Sequence, residues 1–172
     1  MADIYVRKGT LADLPSIMQV IDEAKQLLKA SGSSQWQDGY PYESTLQADI
    51  KNGINYVLID NGEVAGTASL MFTEEPTYLD IDGAWQNPNE QYSTIHRIAI
   101  SSKFRGQHLS SYFMSNLITI TELNGIQNIR FDTHRLNKAM QAVGKGFNFK
   151  YRGIIEVDHP DDPKRLAYEL NL

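Results

Sequence analysis

A short turn between a predicted strand and a predicted helix carries the residues with the clearest chemistry. Its sequence is Arg105-Gly106-Gln107, and the helical run after it begins near Leu109. The first backbone N–H groups of a helix lack partners and carry partial positive charge, so a helix start binds anions. An arginine and a bare glycine backbone favour phosphate among those anions. The alternative is an ordinary strand-to-helix crossover whose arginine points into water.

A strand and a helix flank this turn and must hold it in place. The strand ends in the β-branched run Ile98-Ala99-Ile100, which is typical of strands. The helix shows an apolar stripe at helical spacing from Leu109 to Leu123 and stops at Asn124-Gly125. The turn is therefore expected to connect this strand directly to this helix.

The whole chain predicts a single α/β domain over residues 1–172 with a mixed sheet. Ser44 with Gln47 fits the capping box of a short helix, and Asn61-Gly62 predicts a hairpin. The predicted order is a strand, two helices and antiparallel strands, followed by strand–helix–strand–helix–strand and a closing strand. The predicted strands cover residues 4–7, 56–59, 64–70, 94–100, 128–133, 151–157 and 165–170.

The composition excludes several classes of protein. The chain has 172 residues, a net charge of −5 and no cysteine, which excludes disulfides, thiolate catalysis and cysteine-based metal sites. The histidines lack a metal-ligand spacing, and no basic cluster favours nucleic acid. No apolar run approaches a membrane span, and the N-terminus enters a strand without a signal peptide. We therefore expect a cytoplasmic protein without a metal, membrane or nucleic-acid partner, and a homodimer is compatible with this.

Two loops carry side chains that could frame a ligand. The loop over residues 31–42 contains Trp36, Tyr40 and Tyr42. Such rings can line a pocket or anchor the loop to the core. The connection over residues 72–93 is unusually long and carries five carboxylates, which could attract a cationic amine or could only solvate the loop.

A second motif gives the chain a family resemblance. The run Asp132-Thr133-His134-Arg135-Leu136-Asn137 follows a strand and opens a helix, and the segment closes at Asn148-Phe149. With Arg105-Gly106 upstream, this order resembles the GNAT superfamily of acetyl-CoA-dependent N-acyltransferases, from Tyr5 to Leu170. The resemblance implies a mostly antiparallel mixed sheet flanked by helices, with a splayed central strand that forms the coenzyme A groove. It also implies acetyl-CoA as the acyl donor.

The resemblance assigns most of the turn to this cofactor. It implies that backbone N–H groups from Gly106 to Ser111 hold the pyrophosphate and that the central strand pairs with the pantetheine arm as an added strand would. The family's helical asparagine maps onto Asn137. The expected cofactor-binding residues are Ile98, Ala99, Ile100, Arg105, Gly106, Gln107, His108, Leu109, Ser110, Ser111, Asn137 and Met140.

Three departures from the family's pattern bear on the site. His108 and Ser110 stand where the turn usually has glycines, which leaves less room beside the phosphates. Asn148 replaces another glycine, and asparagine tolerates a left-handed turn. Many members place a tyrosine seven residues after the helical Asn137 to protonate the leaving thiolate, and this chain has Gly144 there.

The implied reaction is direct attack of an amine on the thioester, which needs orientation, removal of the ammonium proton and an oxyanion donor. The backbone N–H near Ile98 is the expected donor. The base is expected to be His96, His134 or, through water, a carboxylate of the long connection. His96 shares strand parity with Ile98 and Ile100, which predicts a common face. Asp132 is interpreted as structural.

The remaining roles leave alternatives. Tyr112, Ser111 or water could protonate the thiolate, and Trp36, Tyr40 and Tyr42 are the expected acceptor-binding residues. The favoured function is an N-acetyltransferase acting on a primary amine of a small molecule, peptide or protein. The alternative is a non-catalytic acyl-CoA-binding sensor without the tyrosine. A dinucleotide-binding oxidoreductase is weakly supported, because no Gly-x-Gly-x-x-Gly turn is present.

Overall fold

The computed structural model of the protein describes residues 3–172. Met1 and Ala2, which the predicted N-terminus and domain include, lie outside the described residues. The helices are α1 (Leu14–Ala30), α2 (Glu43–Lys51), α3 (Leu109–Leu123) and α4 (Lys138–Gly146). The strands are β1 (Ile4–Lys8), β2 (Asn55–Asp60), β3 (Glu63–Met71), β4 (Asp82–Gly83), β5 (Tyr92–Ile100), β6 (Asn128–Thr133), β7 (Lys150–Glu156) and β8 (Lys164–Asn171).

The strands form one mixed sheet in the order β1-β2-β3-β5-β6-β8-β7-β4. Among the described residues only the β5–β6 pair is parallel, so the predicted mostly antiparallel α/β fold is confirmed. The hairpin prediction is also confirmed, since Asn61 and Gly62 take φ values of 49° and 84° between β2 and β3. No helix within residues 3–172 has the length and apolar character needed to cross a membrane.

The start of α2 differs from its prediction. The helix begins at Glu43, and the carbonyl of Tyr42 accepts hydrogen bonds from the N–H groups of Thr45 and Leu46. Ser44 therefore lies inside the first turn, so the capping box with Gln47 is wrong. The helix starts early because a backbone carbonyl, rather than a side chain, receives its first hydrogen bonds.

The long connection after β3 is more ordered than predicted. A 3-10 turn at Pro76–Tyr78 and the short strand β4 lie within it, and β4 pairs with β7 through Gly83 and Gly153. Tyr78 and Trp85 bury their rings in a cluster that also contains Tyr92, Ile155 and Ala167. These contacts hold the connection against one half of the sheet, on the same face that α1 and α2 cover.

The sheet opens between β5 and β6. These strands pair only from Tyr92 to Thr94, opposite residues 128–130. Beyond Thr94, β5 remains paired with β3, and its opposite edge is not covered by β6. The splayed central strand that the resemblance implies is therefore present.

A β-bulge lies at the same point of β5. Ser69 of β3 pairs with His96, while Thr67 pairs with Ala99, so two residues of β5 oppose one residue of β3. Arg97, within the bulge, has a φ of 52°. A bulge bends its strand and re-aims the following side chains, and here it directs the end of β5 away from β6.

Candidate active site

Two cavities meet where β5 and β6 separate. The donor groove, of about 330 Å³, runs from the turn before α3 to the space between α1, β5 and α4. The acceptor cavity, of about 550 Å³, lies beside the loop over residues 31–42. Trp36, His96, Arg97 and Asp132 line both cavities. These four residues, the junction, are where a group bound in the groove would meet a molecule in the cavity.

The turn before α3 presents a row of free hydrogen-bond donors. Within residues 3–172, the five consecutive backbone N–H groups from Gly106 to Ser110 have no acceptor. Gly106 and His108 both take left-handed conformations, with φ values of 81° and 57°. Alternation of left- and right-handed residues turns successive N–H groups into a concave anion-binding nest, and the start of α3 adds its partial positive charge. The arrangement is that of a phosphate cradle.

His108 takes a left-handed backbone conformation, which costs a non-glycine residue about 1–2 kcal/mol. Asn148, which also stands where the family has a glycine, has a φ of 65°, a left-handed value that asparagine tolerates. Both residues therefore take a backbone conformation that glycine favours.

Apolar side chains form the walls of the donor groove. α1 contributes Ala24, Leu27 and Leu28. The sequence did not predict these three as groove residues, because an apolar stripe on a helix indicates packing in the core and does not show which of its residues line a cavity. Asn137 caps α4 by accepting from the N–H of Met140 at 3.2 Å. Ten of the twelve predicted cofactor residues line the groove, and Gln107 and Ser111 do not: Ile98, Ala99, Ile100, Arg105, Gly106, His108, Leu109, Ser110, Asn137 and Met140.

Gly144 does not face the groove. A Cβ built on it would lie 2.5 Å from Cζ of Phe131, whose ring packs in the core. Val143, one residue earlier, lines the groove instead. The position seven residues after Asn137 therefore faces the core. To face the groove, this position would need α4 to be rotated about its axis, and the packing against Phe131 does not allow that rotation. No tyrosine is among the described residues that line the groove.

His96 pairs with a carboxylate at the junction. Its Nε2 lies 2.9 Å from Oε2 of Glu75. The hydrogen bond from His96 lowers the pKa of Glu75 to about 2, with further bonds from Thr77 acting in the same direction. An ionised carboxylate only accepts, so Nε2 of His96 is the donor in this contact. Among the hydrogen bonds of residues 3–172, none involves Nδ1, so this nitrogen is left for a bound molecule.

The predicted common face of His96, Ile98 and Ile100 is wrong. Ile95 packs in the same core cluster as Ile98 and Ile100, so side-chain alternation breaks between Ile95 and Ile98. The bulge at Arg97 inserts the extra residue that shifts the parity. His96 therefore lies on the opposite face, with its ring centroid 6.4 Å from that of Tyr78.

His134 and Tyr112 do not reach the junction. His134 is fully buried; its Nδ1 accepts from the N–H of Leu136, and its Nε2 lies 2.8 Å from Asp162. Both ring nitrogens are thus engaged, and the contact holds the pKa of Asp162 well below its usual range. The hydroxyl of Tyr112 donates to the carbonyl of Ile4, on the outer side of α3.

Asp132 lies at the end of β6 and lines both cavities. It accepts a hydrogen bond of 2.8 Å from the hydroxyl of the buried Tyr78. Burial raises its pKa, while the nearby His96, the hydrogen bond from Tyr78 and the charge of Arg165 act in the opposite direction. The interpretation of Asp132 as structural did not predict that this residue lines the cavities. The sequence feature that could have indicated this is the place of Asp132 near the end of a strand, five residues before Asn137.

The aromatic loop lines the acceptor cavity through Trp36, Tyr40 and Tyr42. It is also anchored, because the hydroxyl of Tyr40 accepts from Nη1 of Arg97 at 2.6 Å. Arg97 donates through Nε and Nη2 to both oxygens of Asp49. Burial raises the pKa of Tyr40, so its hydroxyl stays protonated. The loop therefore both packs on the core and frames the cavity.

Comparisons with known proteins agree with this geometry. The sequence model of the Acetyltransferase (GNAT) family matches residues 21–149. A GNAT-family acetyltransferase from Streptococcus agalactiae 2603 is 34% identical, with 98% of this chain and 95% of that chain covered and a TM-score of 0.91. A comparison with curated proteins finds no match.

More distant structures share the fold. A GNAT-family acetyltransferase from Listeria monocytogenes 4b F2365 is 20% identical, with 98% of this chain and 95% of that chain covered and a TM-score of 0.74. The PaiA N-acetyltransferase from Thermoplasma acidophilum, solved in complex with coenzyme A, is 15% identical, with 99% of each chain covered and a TM-score of 0.75. With the family match over most of its length, the chain belongs to the GNAT family and is an acetyltransferase.

Proposed function

We propose that the protein transfers the acetyl group of acetyl-CoA to a primary amine by direct attack on the thioester. One observation carries this proposal: a groove with a phosphate cradle and a separate cavity meet at a single junction that contains a histidine–carboxylate pair. Such a junction lets two bound substrates meet beside the histidine. Related structures contain coenzyme A or acetyl-CoA.

The groove offers a complementary surface for each part of the donor. The free N–H groups from Gly106 to Ser110 and the guanidinium of Arg105 would hold the pyrophosphate. The edge of β5 beyond Thr94 would hydrogen-bond the pantetheine arm as an added strand. The thioester would then lie near the bulge, where the backbone N–H near Ile98 would stabilise the oxyanion.

His96 would act as the general base. Its free Nδ1 accepts the ammonium proton, and the ionised Glu75 on Nε2 stabilises the resulting imidazolium. The neutral amine nitrogen then bonds to the carbonyl carbon, and the carbon–sulfur bond breaks as this nitrogen gives up its second proton. That proton passes through water to the leaving thiolate, since Tyr112 and Ser111 do not line the groove.

Nothing in the structure favours the alternative of a non-catalytic sensor. That alternative depended on a glycine in place of a catalytic tyrosine. Gly144 packs against Phe131 in the core, so its identity carries no information about the groove.

A thiol-release assay tests the proposal. The protein is incubated with acetyl-CoA and a panel of primary amines, thiol is detected with a reactive dye, and the acetylated product is identified by mass spectrometry. If acetyl-CoA binds clearly but no amine causes thiol release, the proposed acetyl transfer is overturned.

A pair of variants tests the cradle. Arg105→Ala should weaken acetyl-CoA binding at least several-fold, because Arg105 lines the groove. Lys103→Ala is the matched control, since this exposed lysine two residues away pairs with Glu63. Equal affinity of the Arg105 variant and the control would contradict the phosphate assignment.

A further inference from the structure

Arg165 is a buried cation without an anionic partner. It is 5% exposed and lines the acceptor cavity. Its Nη1 donates to the backbone carbonyls of Asp162 and Lys164. Within residues 3–172, no carboxylate oxygen lies within 4.0 Å of its guanidinium, and Nε and Nη2 have no acceptor. Two donors of a buried charge are therefore left to a ligand.

Other enclosed arginines of this chain are paired. Arg97 binds both oxygens of Asp49, and Arg130 binds Glu169 while its guanidinium lies over the ring of Tyr92. A buried charge without a direct ion pair is costly. Burial lowers the pKa of Arg165, while the charges of Asp132 and Asp162, neither of them within 4.0 Å, act in the opposite direction. The contrast indicates that an anion from outside the protein completes this site.

The sheet register places Arg165 near Asp132 on one face. Asp132 of β6 pairs with Ala167 of β8, and Arg165 lies two residues from Ala167, on the same side. Diagonal neighbours of this kind have Cα atoms about 7–8 Å apart. Both Asp132 and Arg165 line the acceptor cavity, while Ala167 packs against the cluster of Tyr78.

Asp132 is the complementary half of this arrangement. It accepts the hydroxyl of Tyr78 and, within residues 3–172, has no cation within 4.0 Å. It lies at the junction with His96, whereas Arg165 lines only the acceptor cavity. The cavity therefore presents a carboxylate and a histidine beside the donor groove and a guanidinium farther from it.

We propose that the acceptor is a free amino acid, whose ammonium group binds at Asp132 and His96 and whose carboxylate pairs with Arg165. The inference rests on the proposed function, because it names the substrate of that same site. The ammonium group loses one proton to His96, and its nitrogen bonds to the acetyl carbon as the carbon–sulfur bond breaks. The second proton of the nitrogen passes to the sulfur, so coenzyme A leaves as the thiol, and the carboxylate of the amino acid is unchanged. The product is an N-acetyl amino acid.

Matched acceptor pairs test this assignment. Each of the twenty proteinogenic L-amino acids is compared with its own carboxamide, which keeps the amine and side chain but lacks the anion. We expect at least one amino acid to be acetylated with a kcat/KM ten or more times that of its carboxamide. Calorimetry with coenzyme A present should show that this amino acid binds more tightly than its carboxamide.

Substitution of Arg165 gives a second test. Arg165→Gln should raise KM for the amino acid at least tenfold with little change in kcat, and should lower kcat/KM for the amino acid at least ten times more than kcat/KM for the carboxamide. Lys164→Gln, at an exposed neighbour on the same strand, should behave as the wild type. If Arg165 had only a structural role, its substitution would lower kcat/KM equally for the amino acid and for the carboxamide. Arg165→Lys keeps the charge without the planar fork and should restore part of the preference.

The outcomes separate this inference from the proposed function. Thiol release with carboxamides as good as with amino acids would overturn the amino acid assignment and leave the transferase intact. Absence of thiol release with every amine would refute the transferase. In that case calorimetry decides the assignment: binding of an amino acid but not of its carboxamide supports it, and binding of neither overturns it.

Discussion

Nε2 of His96 lies 2.9 Å from the carboxylate of Glu75 and joins the central strand to the connection that follows β3. Tyr78 and Trp85 bury that connection against the sheet, so the carboxylate is held and not free in solvent. The ionised Glu75 in turn orients the imidazole at the junction of the two cavities. The base of the proposed reaction is therefore built from two segments that only the fold brings together.

The first prediction concerns this base. His96→Gln should lower kcat by about 10²–10⁴, the usual contribution of a general base, and leave acetyl-CoA affinity unchanged because the cradle is untouched. Steady-state kinetics with acetyl-CoA titration separates the two effects. Tyr112→Phe is the matched control, since its hydroxyl bonds the carbonyl of Ile4 and its loss should leave kcat unaffected. A comparable fall in kcat for Tyr112→Phe would contradict this assignment.

The second prediction concerns acid stability. The folded pKa of Glu75, about 2, lies below its ordinary value of 4.5, so the ionised carboxylate stabilises the fold above pH 4.5. That contribution is lost as the pH falls towards 2. Above pH 4.5, Glu75→Gln should reduce the free energy of unfolding by about 1.5–3 kcal/mol, as expected for hydrogen bonds to a charged group.

Denaturant unfolding of both proteins between pH 2.5 and 5.5 checks this expectation. The two stabilities should converge towards the acid end of the range. A difference that stays constant across the range would show that the carboxylate is not stabilised in the folded state.

Local signals were sufficient to predict much of this molecule. The turn at Arg105, the hairpin at Asn61-Gly62 and the apolar stripe of α3 each depend on nearby residues, and each is present. The residues of the donor groove followed from the same turn and from Asn137. These features need no knowledge of distant parts of the chain.

Features that depend on packing between distant elements were not predictable. The bulge at Arg97 moves His96 to the other face of the sheet, and simple alternation cannot reveal an inserted residue. The rotation of α4, which turns Gly144 into the core, is set by the ring of Phe131. The position of Arg165 beside Asp132 depends on the register of β6 and β8.

The third prediction concerns Gly144. An added Cβ would lie 2.5 Å from Phe131, so Gly144→Ala should destabilise the fold by about 1–3 kcal/mol through overpacking. Gly146→Ala is the control in the same helix: its Cβ would meet nothing within 4 Å, and removal of backbone freedom should stabilise by about 0.4–1 kcal/mol. Thermal or denaturant unfolding compares them. Equal stability of both variants would mean that Gly144 does not face the core.

The fourth prediction concerns the ion pair beside the bulge. The side chains of Arg97 and Asp49 are 11% and 7% exposed, and the carboxylate accepts two bonds from the guanidinium and one from the hydroxyl of Ser69. Asp49→Asn keeps the shape but leaves the charge of Arg97 uncompensated, so the free energy of unfolding should fall by about 3–5 kcal/mol. Because Arg97 also holds Tyr40, kcat should fall as well.

Simultaneous removal of both charges distinguishes an unpaired charge from lost packing. If the penalty arises from the uncompensated guanidinium, the double variant Asp49→Leu/Arg97→Met should be more stable than Asp49→Asn alone, because apolar side chains of similar volume can replace a buried ion pair. Its activity should remain low, since the contact that anchors Tyr40 over the acceptor cavity is absent. A double variant less stable than Asp49→Asn would instead show that the pair stabilises the bulge by shape and hydrogen bonding, with charge compensation a minor effect.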